Sequence, residues 1–298
     1  MPIIAYQSFN SNSSTSHGVE AFSFQRFTKL ANSSVTNQGV QALVLPSNPS
    51  NLVDAIEGPA NLMDIEQLTD TQPVTAFGGQ ISLIGQNLVR ALGSIPDILV
   101  LGEMDSSHSE FSKIVNDKNV VFEHVSMSKA CQSFTAISPV QNQAKIGRIC
   151  FDEGYVVYKV FDFIVIFVHV PNRIATSKSQ AASFYHAIIQ HVQSKGGVVH
   201  LVIGDTNQPS IDFTADVLNR VDPLGKYVTS ASSSNIKPVD NYNSSVGGTN
   251  STGSKMYDVA VYRSSLVKLT GGPAYLSQSS GGITVTDHLG VGVKIELL

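Results

Sequence analysis

Short, mostly apolar runs that end in charged or amide side chains recur along this chain. They are found at Asp97–Glu103, Phe163–His169, His200–Asn207 and Thr284–His288. Near-continuous apolar runs predict strands that are buried on both faces. A buried strand brings the polar side chain at its end to a rigid edge of the sheet. The pattern therefore predicts a polar site that is assembled from several strand ends.

The spacing of apolar residues elsewhere predicts few helices among many strands. Helices are predicted over Ile81–Leu92 and Thr176–Lys195, and the second begins with a capping box of Ser177 and Gln180. The strands predicted outside the four runs are Ala21–Phe27, Val40–Leu45, Val74–Phe77, Tyr257–Tyr262, Leu266–Leu269 and Gly290–Leu297, with more between residues 120 and 170. This ratio is typical of helices that cover two sheets packed face to face.

Residues 1–70 differ from the rest because clusters of Asn and Ser interrupt their apolar runs. We interpret them as an N-terminal extension of unknown role, either separate from or part of the same globule, and residues 71–298 as the main domain. Residues 229–254 are rich in Ser, Asn and Gly. They predict a long polar loop of the kind that can border a site.

The composition is that of a globular chain without the charge of a tight nucleic-acid binder. Of the 298 residues, 42% are hydrophobic and 14% are charged, with a net charge of -4. This balance disfavours non-specific, charge-driven DNA binding and leaves a local basic groove open. No apolar run approaches the roughly 20 residues of a membrane span, and no secretory signal is visible. We expect a soluble protein, either cytoplasmic or exported by a non-classical route.

The two cysteines, Cys131 and Cys150, flank a segment whose pattern is strand, turn and strand. If the chain folded back about the turn at Pro139–Asn142, the two side chains would face each other across a hairpin. The sequence leaves open whether they form a disulfide or remain two buried thiols. Neither cysteine has the spacing of a metal ligand.

Three strand ends offer the side chains of a phosphate or cation site. Asp205 and Asn207 are two residues apart, so on an extended segment both would point to one side. The alternative is a turn in which they only cap the next helix. Glu103 offers the hard oxygen that suits Mg²⁺, unless it is an exposed loop residue. His169 could donate to a phosphoryl oxygen or shuttle a proton, although a histidine here is more often a satisfied core residue.

Asp287 and His288 are adjacent, so on a strand their side chains face opposite ways. They therefore cannot form a simple hydrogen-bonded pair. His288 needs another carboxylate to orient its ring, and Asp258 is a candidate. An aspartate that fixes the imidazole tautomer raises its basicity toward an attacking water.

The ordered series of these motifs resembles the endonuclease/exonuclease/phosphatase superfamily, which includes deoxyribonuclease I and abasic-site endonucleases. The segments that carry the resemblance are Pro96–Glu103, Val168–Asn172, Ile203–Asn207, Tyr257–Asp258 and Thr286–His288. The resemblance covers about three quarters of the chain, from Pro73 to the C terminus. It implies a four-layered α/β sandwich, in which two mixed β-sheets are flanked by helices, and divalent-metal hydrolysis of phosphoester bonds.

The resemblance also implies a role for each residue at a matching position. Glu103 and Asp287 would lie at the metal, which is usually Mg²⁺, with Mn²⁺ or Ca²⁺ as alternatives. Asp205 and Asn207 would orient the attacking water and the phosphate. The remaining implied roles are a general base at His288 oriented by Asp258, a strand-end histidine at His169 and a phosphate contact at Asn172.

The chain departs from the family pattern at three positions. Gly102 stands where the family usually has Gln, and Thr206 stands where an aromatic or aliphatic residue is usual. The first family strand normally ends in a metal-site Asn. The distance to Glu103 predicts that this strand is Val74–Phe77, with Gln80 as the substitute. The alternatives are earlier strands that end at Asn48 or Asn10.

The resulting hypothesis is a Mg²⁺-dependent phosphodiesterase, most simply an endonuclease with DNA as its nucleic-acid substrate. The surface rich in Asn and Ser favours a phage, viral or bacterial effector over a housekeeping repair enzyme. One alternative keeps the chemistry and acts on phospholipids or phosphoinositides, as a phosphodiesterase or a phosphatase. Another is a catalytically weakened binding or structural protein on the same fold. Protein partners are not indicated by the sequence.

Overall fold

A computed structural model of the chain describes residues 1–8, 96–103, 121–127, 133–208, 210, 212–230, 256–270, 274–276, 279–280, 283–284, 288 and 290–298. Two β-sheets, each with parallel and antiparallel pairs, form its centre. The strands at Ile3–Ser8, Ile98–Gly102 and Leu201–Asp205 are buried on both faces, as continuous apolar runs predict.

The first sheet contains both ends of the chain. Its strands are β1 (Ile3–Ser8), β2 (Ile98–Gly102), β3 (Val121–Val125), β4 (Phe134–Ile137), β11 (Val267–Leu269), β12 (Ala274–Leu276) and β15 (Gly290–Leu297). The strand order is β11–β15–β1–β2–β4–β3, and β12 also pairs with β15. β1 runs parallel to β2 and antiparallel to β15, so the N-terminal strand lies inside the sheet.

The second sheet contains the central part of the chain and one strand from near its end. Its strands are β5 (Ile146–Asp152), β6 (Tyr155–Val160), β7 (Phe163–His169), β8 (Leu201–Asp205), β9 (Tyr227–Thr229) and β10 (Asp258–Arg263). The strand order is β5–β6–β7–β8–β10–β9. A separate pair consists of β13 (Ser279–Ser280) and β14 (Ile283–Thr284).

The first helix, α1 (Val140–Gln143), buries no residue and lies on the connection between the two sheets. The helices that cover the outer face of the second sheet are α2 (Asn172–Ala175), α3 (Lys178–Ser194) and α4 (Phe213–Val221), and a 3-10 turn at Pro223–Gly225 follows α4. The predicted capping of α3 is confirmed, because the Ser177 hydroxyl accepts a hydrogen bond from the Gln180 backbone N–H. Phe184 of α3 meets Tyr155 of β6 edge to face, at 5.6 Å between ring centroids. None of the helices within the described ranges is long and apolar enough to cross a membrane.

The two sheets pack face to face through the pairs β1 with β8, β2 with β7 and β10 with β15. The predicted fold class is confirmed, because two mixed sheets flanked by helices form an α/β sandwich. Other predicted elements, namely Ala21–Phe27, Val40–Leu45, Val74–Phe77 and Ile81–Leu92, lie outside the described residues.

The predicted hairpin about residues 139–142 is wrong. β4 belongs to the first sheet and β5 to the second, so the segment with α1 crosses between the sheets. The alternating pattern identifies each strand but carries no information on its pairing partner. Cys131 lies outside the described residues, and Cys150 on β5 is a half-buried free thiol.

Candidate functional site

The second sheet brings three site residues into one row. In the register of the sheet, His169 at the end of β7 is opposite Asp205 at the end of β8, and Asp258 at the start of β10 is also opposite Asp205. β8 approaches β7 closely at Gly204, where an added Cβ would lie 2.2 Å from the Val168 carbonyl oxygen. The strand order therefore fixes the spacing of these side chains.

The first sheet contributes Glu103 and Ser8. β1 and β2 are paired so that Ser8 is opposite Gly102, the residue before Glu103. The Ser8 hydroxyl donates a hydrogen bond to Glu103 Oε1 at 2.7 Å. Glu103 itself has a φ of 59°, a left-handed conformation that is unfavourable for a residue other than Gly or Asn. The chain turns sharply here, directly after the buried strand.

The two sheets meet at this edge, and the side chains from both converge. His169 Nε2 lies 3.3 Å from Glu103 Oε1 and 3.8 Å from Asp205 Oδ2. These three ligand atoms lie within 4.8 Å of one another. His288, which precedes β15, completes the group. We refer to Glu103, His169, Asp205, Asp258 and His288 together as the strand-end cluster.

His288 is held on three sides. Its Nδ1 lies 2.8 Å from Asp258 Oδ2 and 3.7 Å from Asp205 Oδ2. The Tyr257 ring stacks on the imidazole at 6.2 Å between centroids and 25° between planes. Gln7 Nε2 donates to the His288 carbonyl oxygen at 2.8 Å, which ties this segment to β1. Since Nδ1 faces Asp258, Nε2 is the nitrogen that can accept a proton.

Asn207 lies in a turn, so the expectation of an extended Asp205–Asn207 segment is wrong. Its φ of 50° is left-handed, a conformation that Asn tolerates better than most residues. Its backbone N–H donates to Asp205 Oδ1 at 2.8 Å, and its Nδ2 donates to the Val170 carbonyl oxygen at 3.0 Å. The side-chain hydrogen bond made by Asp205 competes with extension of the strand. Both residues nevertheless lie at the same sheet edge.

The cluster concentrates negative charge in a buried place. Asp205 is 1% exposed and Asp258 is fully buried. Burial raises the pKa of Glu103, while His169 and the Ser8 hydroxyl oppose that rise and Asp205 adds to it. Carboxylates this close repel one another, and a cation between them would relieve the repulsion.

The donor set suits a hard divalent cation. Glu103 and Asp205 supply carboxylate oxygens, and His169 Nε2 lies within the same 4.8 Å. Mg²⁺ is usually held by one or two carboxylates together with substrate phosphate oxygens, and Mn²⁺ and Ca²⁺ also prefer oxygen ligands. The residues present therefore fit the expected metal. Asp287, the other residue expected at the metal, lies outside the described residues.

Two other expectations concern the border of the site, namely a phosphate contact at Asn172 and a metal-site residue at the end of the first family strand. Asn172 is exposed at the start of α2, three residues after His169. The candidates for the first-strand residue, Gln80, Asn48 and Asn10, all lie outside the described residues. Within the described residues, the strand that pairs in parallel with β2 is β1. β1 lies earlier in the chain than Val74–Phe77, the strand that the distance to Glu103 predicts.

Sequence reasoning missed Gln7, Ser8 and Tyr257 as members of the site. The run Ile3–Tyr6 is apolar and ends in two polar residues, which is the same signal that marks the other strand ends. The polar segment rich in Asn and Ser that follows directly obscures this signal. Tyr257 had no separate signal, since stacking on His288 depends on how the two segments meet.

Neither a protein-family model nor a curated protein matches the chain. Similar solved structures include the human Nocturnin catalytic domain with bound sulfate anion (12% identity, covering 74% of this chain and 86% of that one, TM-score 0.46). A second is D. rerio TDP2 complexed with single strand DNA product (14% identity, covering 77% of this chain and 95% of that one, TM-score 0.48). A third is an AP endonuclease from Archaeoglobus fulgidus (12% identity, covering 67% of this chain and 89% of that one, TM-score 0.44).

Proposed function

We propose that the chain is a divalent-cation-dependent phosphoester hydrolase that cleaves nucleic acid, with DNA as the expected substrate. The observation that supports it is the convergence of Glu103, His169 and Asp205 within 4.8 Å, beside the pair of His288 and Asp258. These residues come from both sheets and from distant parts of the chain. Carboxylates that can bind a cation lie here beside an oriented imidazole, and this arrangement is suited to the hydrolysis of a phosphoester.

His288 acts as the general base in this proposal. Asp258 accepts the Nδ1 proton at 2.8 Å and holds the ring in the tautomer whose Nε2 is basic. Nε2 then takes a proton from the attacking water. Tyr257 limits the ring to one plane by stacking, and Gln7 fixes its backbone. The base is therefore oriented before substrate arrives.

In this proposal the cation would be held by Glu103, Asp205 and Asp287, and Asp205 and Asn207 would orient the water and the phosphate. A divalent cation bound there would neutralise the charge that develops on the phosphate oxygens. His169 lies between the two carboxylates and donates to a phosphoryl oxygen. Its pairing with Glu103 keeps the imidazole at the sheet edge when no substrate is present.

A nucleic acid is the substrate that fits the exposed residues beside the cluster. Asn172 and Arg173 of α2 and Lys178 at the start of α3 follow His169 in the chain, and all three are exposed. Exposed amide and basic side chains are those that contact backbone phosphates. Arg173 also pairs with Glu153, which limits its contribution. The convergence of the cluster favours an enzyme over a binding protein.

The proposal is tested by hydrolysis of a chromogenic phosphodiester and of short DNA with increasing Mg²⁺ or Mn²⁺. Glu103→Gln keeps the size of the side chain and removes its charge, and we expect it to raise the cation concentration required and to lower the rate. Glu296→Gln is the matched control, because Glu296 is at the far end of β15, where it pairs with Lys268. Equal activity of the two variants would contradict the proposal. Phosphoinositide vesicles, assayed in parallel, test the lipid alternative.

A further inference from the structure

Thr206 carries a buried hydroxyl that has no part in the mechanism above. It follows Asp205 at the end of β8 and is 1% exposed. Its hydroxyl donates a hydrogen bond to the Tyr257 carbonyl oxygen at 2.9 Å, and its backbone N–H donates to the same oxygen at 2.8 Å. A carbonyl oxygen has two lone pairs, so these two bonds together satisfy it. The superfamily resemblance leads one to expect an aromatic or aliphatic residue at this position, and such a side chain could not donate.

Tyr257 lies just beyond the regular pairing of β8 with β10. The last pair of that register is Asp205 opposite Asp258, and Tyr257 directly precedes β10. The backbone N–H of Thr206 extends the pairing by one hydrogen bond, and the Thr206 hydroxyl adds a second bond that a regular ladder does not contain. Two donors on one carbonyl oxygen limit the rotation of the peptide group between Tyr257 and Asp258.

That peptide group joins the two side chains that hold the imidazole of His288. On one side of it the Tyr257 ring stacks on the imidazole at 6.2 Å between centroids, and on the other Asp258 Oδ2 lies 2.8 Å from Nδ1. Asp258 is fully buried, whereas Tyr257 is only half-buried. Packing therefore constrains the carboxylate more than the tyrosine ring, and the position of the ring depends more on how its backbone is held.

We propose that Thr206 is a positioning residue for His288. Its hydroxyl fixes the carbonyl group of Tyr257, and this fixes the plane in which the Tyr257 ring stacks on the imidazole. Asp205 is one residue earlier, so the end of β8 serves both the carboxylate side of the site and the base. The inference rests on the proposed function in taking His288 as the general base, whereas the bonds from Thr206 to Tyr257 belong to the folded chain.

Nuclear magnetic resonance of the His288 imidazole tests the proposal without substrate or cation. The ring current of Tyr257 shifts the C–H resonances of the stacked imidazole, which are assigned by their loss in His288→Gln. Tyr257→Leu gives their positions without the stack. Thr206→Val removes the hydroxyl, and at a single pH we expect it to move these resonances toward those of Tyr257→Leu. Thr206→Ser keeps the hydroxyl and should leave them at the wild-type positions.

Ser138→Ala is the matched control. Ser138 is buried, and its hydroxyl donates to the Asp97 carbonyl oxygen at 2.7 Å, directly before β2 and at the other end of that strand from Glu103. Both Ser138→Ala and Thr206→Val should raise the unfolding constant in urea at least about twofold. The proposal is overturned if Thr206→Val leaves the His288 resonances in place, or if Ser138→Ala moves them as far. If Thr206→Val does not fold, Thr206→Ala and Thr206→Ser are compared, because they differ only in the hydroxyl.

Hydrolysis of a chromogenic phosphodiester provides a second test. Thr206→Val should lower kcat at least about threefold, while KM and the cation concentration required stay as in wild type, and Thr206→Ser should retain the wild-type kcat. A smaller loss of kcat overturns the positioning role, as does an effect confined to the cation requirement, since that would indicate a displaced Asp205. If the wild type hydrolyses no phosphoester, the proposed function fails. The resonances of His288 then still decide whether Thr206 holds Tyr257 against the imidazole.

Discussion

Replacement of Gly204 by alanine tests the close approach of β8 to β7 that sets the spacing of His169 and Asp205. Gly204 has a φ of 140°, and a Cβ there would lie 2.2 Å from the Val168 carbonyl oxygen. Holding another residue in that conformation costs about 1–3 kcal/mol, and forcing a methyl group into a packed interior costs about 1–3 kcal/mol more. Together they predict a loss of about 2–6 kcal/mol, out of the roughly 5–15 kcal/mol typical of a folded domain.

The assay is urea denaturation followed by circular dichroism. Gly147→Ala is the matched control, because Gly147 is an exposed glycine of β5 with no atom within 4 Å of the added Cβ. That variant should be unchanged or more stable by about 0.4–1 kcal/mol. If Gly204→Ala unfolded at the same urea concentration as Gly147→Ala, the proposed tight contact between the two strands would be refuted.

Two further predictions concern histidines. Asp258→Asn should lower the hydrolysis rate by roughly 10²-fold or more, because the general base His288 loses the group that orients it; an unchanged rate in a steady-state assay would remove His288 from the mechanism. Burial, assisted by Arg263, lowers the pKa of His200, whose neutral Nδ1 accepts the Ile164 N–H at 2.9 Å. Its contribution to stability is therefore complete above the unfolded-state pKa of about 6.5 and is lost as the pH falls toward the folded pKa. Urea unfolding at pH 7.5 and 5.5 should show a smaller loss in His200→Gln than in wild type, and equal losses would contradict this.

The site was predictable in part because a strand end is visible in sequence. β7 and β8 were predicted with their polar last residues, and the parallel register then brings His169 and Asp205 side by side. The need of His288 for a carboxylate other than Asp287 followed from strand alternation. The contact with Asp258 itself depends on how β10 and the segment before β15 are paired, which no local pattern contains.

Elements whose place depends on distant partners were harder to predict. β1 was missed because a polar segment follows it, although its burial comes from β2 and β15 on either side. The hairpin about residues 139–142 was expected because neighbouring strands usually pair, and here they belong to different sheets. The helix α4 had a usable signal, since Phe213, Val217 and Val221 recur every four residues.

Plasmid nicking in the presence of Mg²⁺, with wild type compared with His288→Ala and Asp205→Ala, tests whether the strand-end cluster is catalytic. We expect that wild type nicks the plasmid, that chelation of the cation stops it, and that both variants lose the activity while remaining folded. Nicking that persists in both variants, or that does not require a divalent cation, would contradict the assignment of the strand-end cluster as the catalytic site.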